Sequence, residues 1–238
     1  MTNFDDLPEP IYCRPEAFRS FVEQLPTLWT TEGLLRGATA VSMHALDDVS
    51  PQAIEQQLAE WARRVRDLAD GGPPSEVLAA LRQVLFVEEN FGGETYKYYH
   101  ALNSYVPAVM KSRRGLPILL SLLFKVVGEW AGLSIAGVNA PGHFMVRVRT
   151  ESGWQIVDPF YGGELLTRDD VFERLDRIAQ RMLPRSDDLL AAPTHMQWLY
   201  RIIGNLRQLF LTEGRNDDLG AMNELLFALR QSQMNLAG

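Results

Sequence analysis

The chain has 238 residues but only one cysteine, Cys13, and four histidines. A lone thiol excludes an internal disulfide and fits a reducing compartment. His44, His100, His143 and His195 are scattered, with no H-x-x-x-H or C-x-x-C spacing, so no metal centre is expected. Asp169-Asp170 and Asp187-Asp188 read as acids at helix starts rather than as a calcium loop. Positive charge is also short. A formal net charge of −7 and a pI near 5.2 argue against a nucleic-acid partner, which calls for a basic face. There is no run of about 18 apolar residues, and the acidic start Met1-Thr2-Asn3-Phe4-Asp5-Asp6 has no apolar signal core. The expectation is a cytoplasmic protein without a membrane partner. Gly71-Gly72, Gly92-Gly93 and Gly162-Gly163 lack the strand–helix setting and the lysine of a phosphate loop, and no G-x-S-x-G elbow occurs. No cofactor is expected.

What the chain does have is hydrophobic content of 46%, enough for a substantial core in one domain or two unequal ones. Its most informative stretch runs Ala140-Pro141-Gly142-His143-Phe144-Met145-Val146-Arg147-Val148-Arg149, alternating with the period of a half-buried strand. Trp154-Gln155-Ile156-Val157-Asp158 is a second β-prone run, and Thr150-Glu151-Ser152-Gly153 between them reads as a tight loop. If Val148 pairs with Gly153, His143 lies opposite Asp158 on the same face. Histidine beside a carboxylate is the orienting half of a nucleophilic triad. It is also an ordinary way to satisfy a histidine at a strand end.

Upstream, Pro117 opens and Gly132 closes a helix whose interior, Ile118 to Val127, is apolar almost all round. A short strand, Ser134 to Asn139, follows it. Residues up to about 90 read as helices: Pro15 to Leu25, Leu28 to Ala45, Pro51 to Ala69, and one capped by Ser75 that runs to about Val87. Thr167-Arg168-Asp169-Asp170 starts another. After a linker at Pro184 to Pro193 come two amphipathic helices, about His195 to Thr212 and Asp217 to Gln231, with Gly214 at the turn. The division expected is a helical region at 1–90, a core at 91–183 and a helical hairpin at 194–238.

Helix, strand, His strand and Asp-Pro strand in this order resemble the core of the transglutaminase-like, papain-related superfamily. Five stretches resemble, more narrowly, the SirB family of bacterial transglutaminase-like proteins with a tetratricopeptide-like tail. They are Phe86-Val87-Glu88-Glu89-Asn90-Phe91-Gly92-Gly93, Asn103-Ser104-Tyr105, Arg113-Arg114-Gly115-Leu116-Pro117-Ile118, Pro141-Gly142-His143-Phe144 and Asp158-Pro159-Phe160-Tyr161-Gly162-Gly163. The resemblance implies an α+β fold: mostly helical, a transglutaminase-like core with a small antiparallel sheet, and a C-terminal helical hairpin. It implies triad roles for His143 and Asp158. In an active member a cysteine stands at the N-terminus of the buried helix, where amides and helix dipole favour the thiolate. Here, counting back from Gly132, Pro117 stands there, and the SirB family shares that departure. Proline has no nucleophilic atom. In the tail, Arg207 and Leu219 fall where a tetratricopeptide repeat usually carries glycine and alanine.

The leading expectation is therefore a non-catalytic binding or regulatory module that grips a protein or peptide. Asn103, Arg113, Arg114, Gly115, Pro117 and Gly142 would line its cleft beside the vestigial His143 and Asp158. The basic run Lys111-Ser112-Arg113-Arg114 would hold an anion there, or simply follow a helix C-terminus. One alternative is a hydrolase or acyltransferase that recruits Cys13, Ser121, Ser104, Ser112 or a water to His143. Ser121 would otherwise bond the Pro117 carbonyl. The other alternative is a structural adaptor that binds protein through the C-terminal hairpin.

Overall fold

Threonine and proline set most of the helix starts. α1 (Pro15–Gln24) opens on proline and buries Ala17, Phe18 and Phe21. α2 (Thr31–Met43) starts three residues later than the apolar pattern suggests. A 3-10 turn at Leu25–Thr27 precedes it, and the Thr30 hydroxyl caps it by accepting the Gly33 N–H at 2.9 Å. α3 (Pro51–Ala69) buries Ile54, Leu58, Trp61 and Val65 along one stripe, while Leu68 at its end is exposed. α4 (Pro74–Arg82) passes into a π-helical turn at Gln83–Glu88. Ser75 is not its cap: Pro73 holds that position, and the Ser75 hydroxyl bonds Glu151.

Then follow β1 (Gly92–Gly93), α5 (Val106–Ser112), β2 (Arg114–Gly115), α6 (Pro117–Trp130), β3 (Ser134–Val138), β4 (Met145–Thr150), β5 (Gly153–Asp158), β6 (Glu164–Leu166), α7 (Arg168–Ala179), α8 (His195–Glu213) and α9 (Asn216–Leu236). This computed structural model describes residues 7–236, without the side chains of 234–236, so the acidic start at 1–6 lies outside the described residues. The fold is α+β and mostly helical, as the sequence predicts. Among the described residues no helix is long and apolar enough to cross a membrane.

The chain forms two units. One comprises Tyr99–Ala108 with the described parts of Met1–Pro51 and Thr194–Gly238. Its core includes Phe21, Leu34, Val41, Trp198, Ile202, Phe210, Met222 and Leu229. A Cβ on Gly37 would lie 2.9 Å from Leu199, so glycine lets α2 and α8 approach closely. α8 opens on a capping box, Thr194 with Gln197, and ends at Gly214, φ +69°. The Glu224 carboxylate accepts the N–H groups of Ile11, Tyr12 and Cys13 at 2.7, 3.1 and 2.8 Å. His44 Nε2 meets Asp218 at 3.1 Å.

The other unit comprises Gln52–Tyr98 and Val109–Pro193. Its sheet is antiparallel in the order β3-β4-β5-β6. α6 covers one face, where Ile135 occupies the space a Cβ would need on Gly128. α7 covers the other through Val171, Phe172 and Leu175, which pack on Val138, Met145 and Leu166. The buried Lys125 pairs with Glu129 and donates to the Ile135 carbonyl at 2.7 Å, while Glu129 accepts the Ile135 N–H at 3.3 Å. One ion pair thus occupies both backbone groups of Ile135 on edge strand β3 and disfavours pairing with another strand at that residue.

Glu89 ties three segments of this unit together. It accepts from Arg64 of α3 and, at 2.7 Å, from Arg113 just after α5. The Arg113 guanidinium also lies 4.9 Å from the ring centres of both Trp61 and Phe91. Burial pushes the Glu89 carboxyl up, but its bonds to Arg64 and the charge of Arg113 outweigh that and hold it below the ordinary value. A folded-state value below the unfolded one contributes stability that is present above the ordinary carboxylate range and is lost as pH falls through the lowered value. Glu89→Gln is therefore expected to lower the urea midpoint at neutral pH, with the gap to the native chain closing as pH drops below the ordinary 4.5. A gap that stays constant into acid would contradict this account.

Candidate functional site

The hairpin that carries the site is tighter than the sequence suggests. Thr150 pairs with Gly153, leaving Glu151-Ser152 as a two-residue loop where four residues were expected. Extending that register brings Met145 level with Asp158, where a four-residue loop predicts His143. The shift is two residues, an even number, so the face is unchanged. His143 also precedes the strand. Gly142 adopts φ +72°, and the His143 N–H bonds the Ala140 carbonyl at 3.2 Å. This turn lets the imidazole reach a carboxylate diagonal to it.

His143 Nε2 lies 2.7 Å from Asp158 Oδ2, with the histidine 2% exposed and the aspartate 0%. The carboxylate accepts, so Nε2 is the donor in this bond. Among the described residues Nδ1 has no hydrogen-bond partner. Asp158 Oδ1 accepts the Phe160 N–H at 3.0 Å, which fixes the 3-10 turn Pro159–Tyr161. Oδ2 takes a second donor, Arg174 Nη1 of α7, at 2.6 Å. Arg174 Nη2 bonds Glu164, the residue directly across the sheet from Asp158. Two opposed carboxylates would repel, and the guanidinium between them removes the conflict. Burial alone would pull Arg174 down, but its bonds to Glu164 and Asp158 raise it, so it stays a cation.

Aromatic rings surround this core. Phe160 meets the His143 ring edge-on, centroids 5.9 Å apart, and Tyr161 lies 6.0 Å from it. The Tyr161 ring also covers Arg174, 4.3 Å from its guanidinium carbon, and is half exposed. Tyr98 packs against Phe160 at 6.2 Å, whereas Tyr96 is exposed and Tyr99 belongs to the other unit.

Four of the five stretches singled out in the sequence meet here. β1 and β2 pair Gly92 with Arg114 and Gly93 with Gly115. A Cβ on Gly93 would lie 2.5 Å from the Phe160 ring, and one on Gly163 would strike Phe86. Arg82 Nε donates to the Gly163 carbonyl at 2.6 Å. Asn103, from the fifth stretch, is buried in the other unit. Arg113 is engaged with Glu89 and the Met110 carbonyl, and Arg114 with the carbonyls of Asn90 and Arg113. Both guanidinium groups brace the loop they follow. Gly115 presses against Val109, and Pro117 forms the buried first turn of α6.

Cys13 is buried, and burial with the nearby Glu224 charge pushes its thiol up to about 12, leaving negligible thiolate at neutral pH. Ser121 donates to the Phe144 carbonyl at 3.4 Å, not to that of Pro117, because the β4 approach passes beside α6. Ser112 exchanges bonds with the Arg114 backbone, and Ser104 is buried in the first-described unit. Among the described residues no three His, Cys, Asp or Glu side chains gather as a metal site. Sequence pattern alone gives Arg174 and Glu164 no place in the site, and Tyr161 enters only as part of the Asp158–Gly163 stretch. For Arg174 a signal exists, since it interrupts the apolar stripe Val171, Leu175, Ile178 of α7.

A buried imidazole–carboxylate pair at a turn–strand junction, beside a helix packed on a small antiparallel sheet, defines a transglutaminase-like core. The chain belongs to that superfamily: the family model "Transglutaminase-like superfamily" matches residues 52–204. A UPF0162 protein of Xylella fastidiosa is 32% identical over 145 residues, 59% of this chain and 51% of that protein. A UPF0162 protein of Pseudomonas aeruginosa is 26% identical over 182 residues, 76% of this chain and 66% of its own. Mouse F-box only protein 21 is 41% identical over 73 residues, 31% of this chain but 12% of that protein. The chain spans about half the length of the first of these relatives. No solved structure matches it significantly.

Arg174→Met would leave Asp158 and Glu164 facing each other without a cation. Removing one partner from a buried ionic network costs about 3 kcal/mol or more, and urea unfolding of the variant is expected to show a loss of that order. A loss under about 1 kcal/mol, the range of an exposed pair, would mean that Arg174 does not hold the carboxylates together.

Proposed function

We propose that this chain is a non-catalytic binding or regulatory protein of the SirB type, a cytoplasmic bacterial relative of the transglutaminases that holds a protein or peptide segment. The observation that carries this reading is the state of the imidazole. Its proton-bearing nitrogen is held by Asp158, its other nitrogen has no partner among the described residues, and proline opens the helix where the superfamily's nucleophile would stand. Asp158 is also shared with Arg174, so the carboxylate serves as a brace for the turn, α7 and the sheet. His143 then acts as a fixed hydrogen-bonding group beneath Tyr161. A ligand would enter over that half-exposed ring, and a peptide N–H directed at Nδ1 is the contact such a site offers. The matched 73 residues make up 12% of F-box only protein 21, which fits a core that works as a module inside a larger protein.

The C-terminal hairpin α8–α9 is part of the same proposal as a degenerate tetratricopeptide-like unit. Arg207 bonds Asn223 across the hairpin at 2.8 Å. One such repeat cannot build the superhelical groove of an array, so it serves as a packed edge.

The test is an amine-incorporation and amide-hydrolysis assay with the full chain, His143→Ala, and His143→Asn as the variant that keeps a polar group in the buried position. The expected outcome is no turnover above background for any of the three. Turnover by the native chain that both folded variants lose would overturn the reading and install an enzyme.

A further inference from the structure

The face of the sheet that carries Asp158 is built in three rows. Val138, Met145, Asp158 and Glu164 form the first, by their pairings. Ala136, Arg147, Ile156 and Leu166 form the second, and Ser134, Arg149 and Trp154 the third. α7 covers the first row and the apolar half of the second. The third row, with Arg147, is open. There Trp154 is 45% exposed, and two guanidinium groups lie over its ring, Arg147 at 4.8 Å and Arg149 at 5.8 Å.

Among the described residues neither arginine has a carboxylate partner, although the chain carries a net charge of −7. Among the described residues Arg147 Nε is buried with no hydrogen-bond partner. Glu151, in the turn of the same hairpin, does not neutralise them, because Ser75 holds its carboxylate. An arginine stacked on an aromatic ring keeps its N–H edge free for a carboxylate and loses little freedom on binding one. Trp and Arg together are also the residue types that dominate binding energy at protein interfaces.

We propose that Arg147, Trp154 and Arg149 form a docking site for an extended acidic segment of a protein partner. Charge complementarity sets the sign, and spacing sets the conformation. Arg147 and Arg149 are two apart on one strand, so their stems rise roughly 7 Å from each other, which is the separation of alternate side chains on an extended chain. A segment with Asp or Glu at alternate positions can therefore present one carboxylate to each guanidinium while its backbone lies across the indole. The segment lies on the face, where the two guanidinium groups and the indole are, and pairing along β3 is disfavoured at Ile135 by Lys125 and Glu129. A nucleic acid is the disfavoured occupant. Two cations in a chain of net charge −7 do not offset the repulsion of a long polyanion.

The probe is a fluorescein-labelled peptide of alternating glutamate and serine, titrated with the full chain at low salt and followed by anisotropy. Controls are the lysine–serine counterpart and an oligothymidylate of equal charge as competitor. Binding to the native chain is expected, with affinity falling about tenfold or more in Arg147→Gln/Arg149→Gln and also in Trp154→Ala, as for loss of interface anchors. Arg149→Gln alone, at an exposed position, gives a second variant in which folding is not at issue, and it should weaken binding in the same direction. Equal binding by native and Arg149→Gln chains, no binding by the native chain, or displacement by oligothymidylate as readily as by unlabelled peptide would each overturn the proposal.

Discussion

One buried carboxylate organises the second of the two units. Asp158 is fully removed from water and satisfied by three donors, the His143 ring, the Arg174 guanidinium and the Phe160 amide. An unpaired carboxylate in that position would cost several kcal/mol, so each donor has to be delivered by the fold. The turn at Pro141-Gly142 delivers the first, α7 the second and the 3-10 turn after β5 the third. Glu164, brought level with Asp158 by the sheet, makes Arg174 indispensable as the cation between two acids.

That constraint separates geometry from chemistry. The imidazole–carboxylate pair is held at 2.7 Å, and the residue that opens the neighbouring buried helix is a proline, which has no nucleophilic atom. The one thiol of the chain sits in the other unit, buried beside a carboxylate that raises it further out of reactive range. The hydrogen bonds that orient the imidazole also hold the turn, α7 and the sheet together. The sheet face is divided as well: Arg174 joins the two acids of its first row, Val138, Met145, Ile156 and Leu166 pack with α7, and Arg147 and Arg149 flank Trp154 on the open side.

Much of this was legible in the chain. The buried helix between Pro117 and Gly132, the capping pattern at Thr167, the helical hairpin around Gly214 and the pairing of His143 with Asp158 all follow from local rules of propensity and period. The register did not. Four turn-forming residues at 150–153 permit a loop of two or four, and either choice keeps His143 and Asp158 on one face, so the pattern could not separate them. The fate of the basic run was equally hidden. Lys111 to Arg114 read as a surface cluster, but Glu89 and two aromatic rings, distant in sequence, claim Arg113, and backbone carbonyls claim Arg114.

The sequence by itself determined the helices, the hairpin and the common face of His143 and Asp158 through residue type and short-range spacing, and its resemblance to the transglutaminase-like superfamily implied the class of fold. Only the tertiary structure decided that Arg174 and Glu164 complete the buried network and that Arg147 and Arg149 are left without acids. Charges are paired by proximity in space, and the 3.6-residue period of α7 and the two-residue period of the sheet bring together groups whose distance along the chain carries no such information.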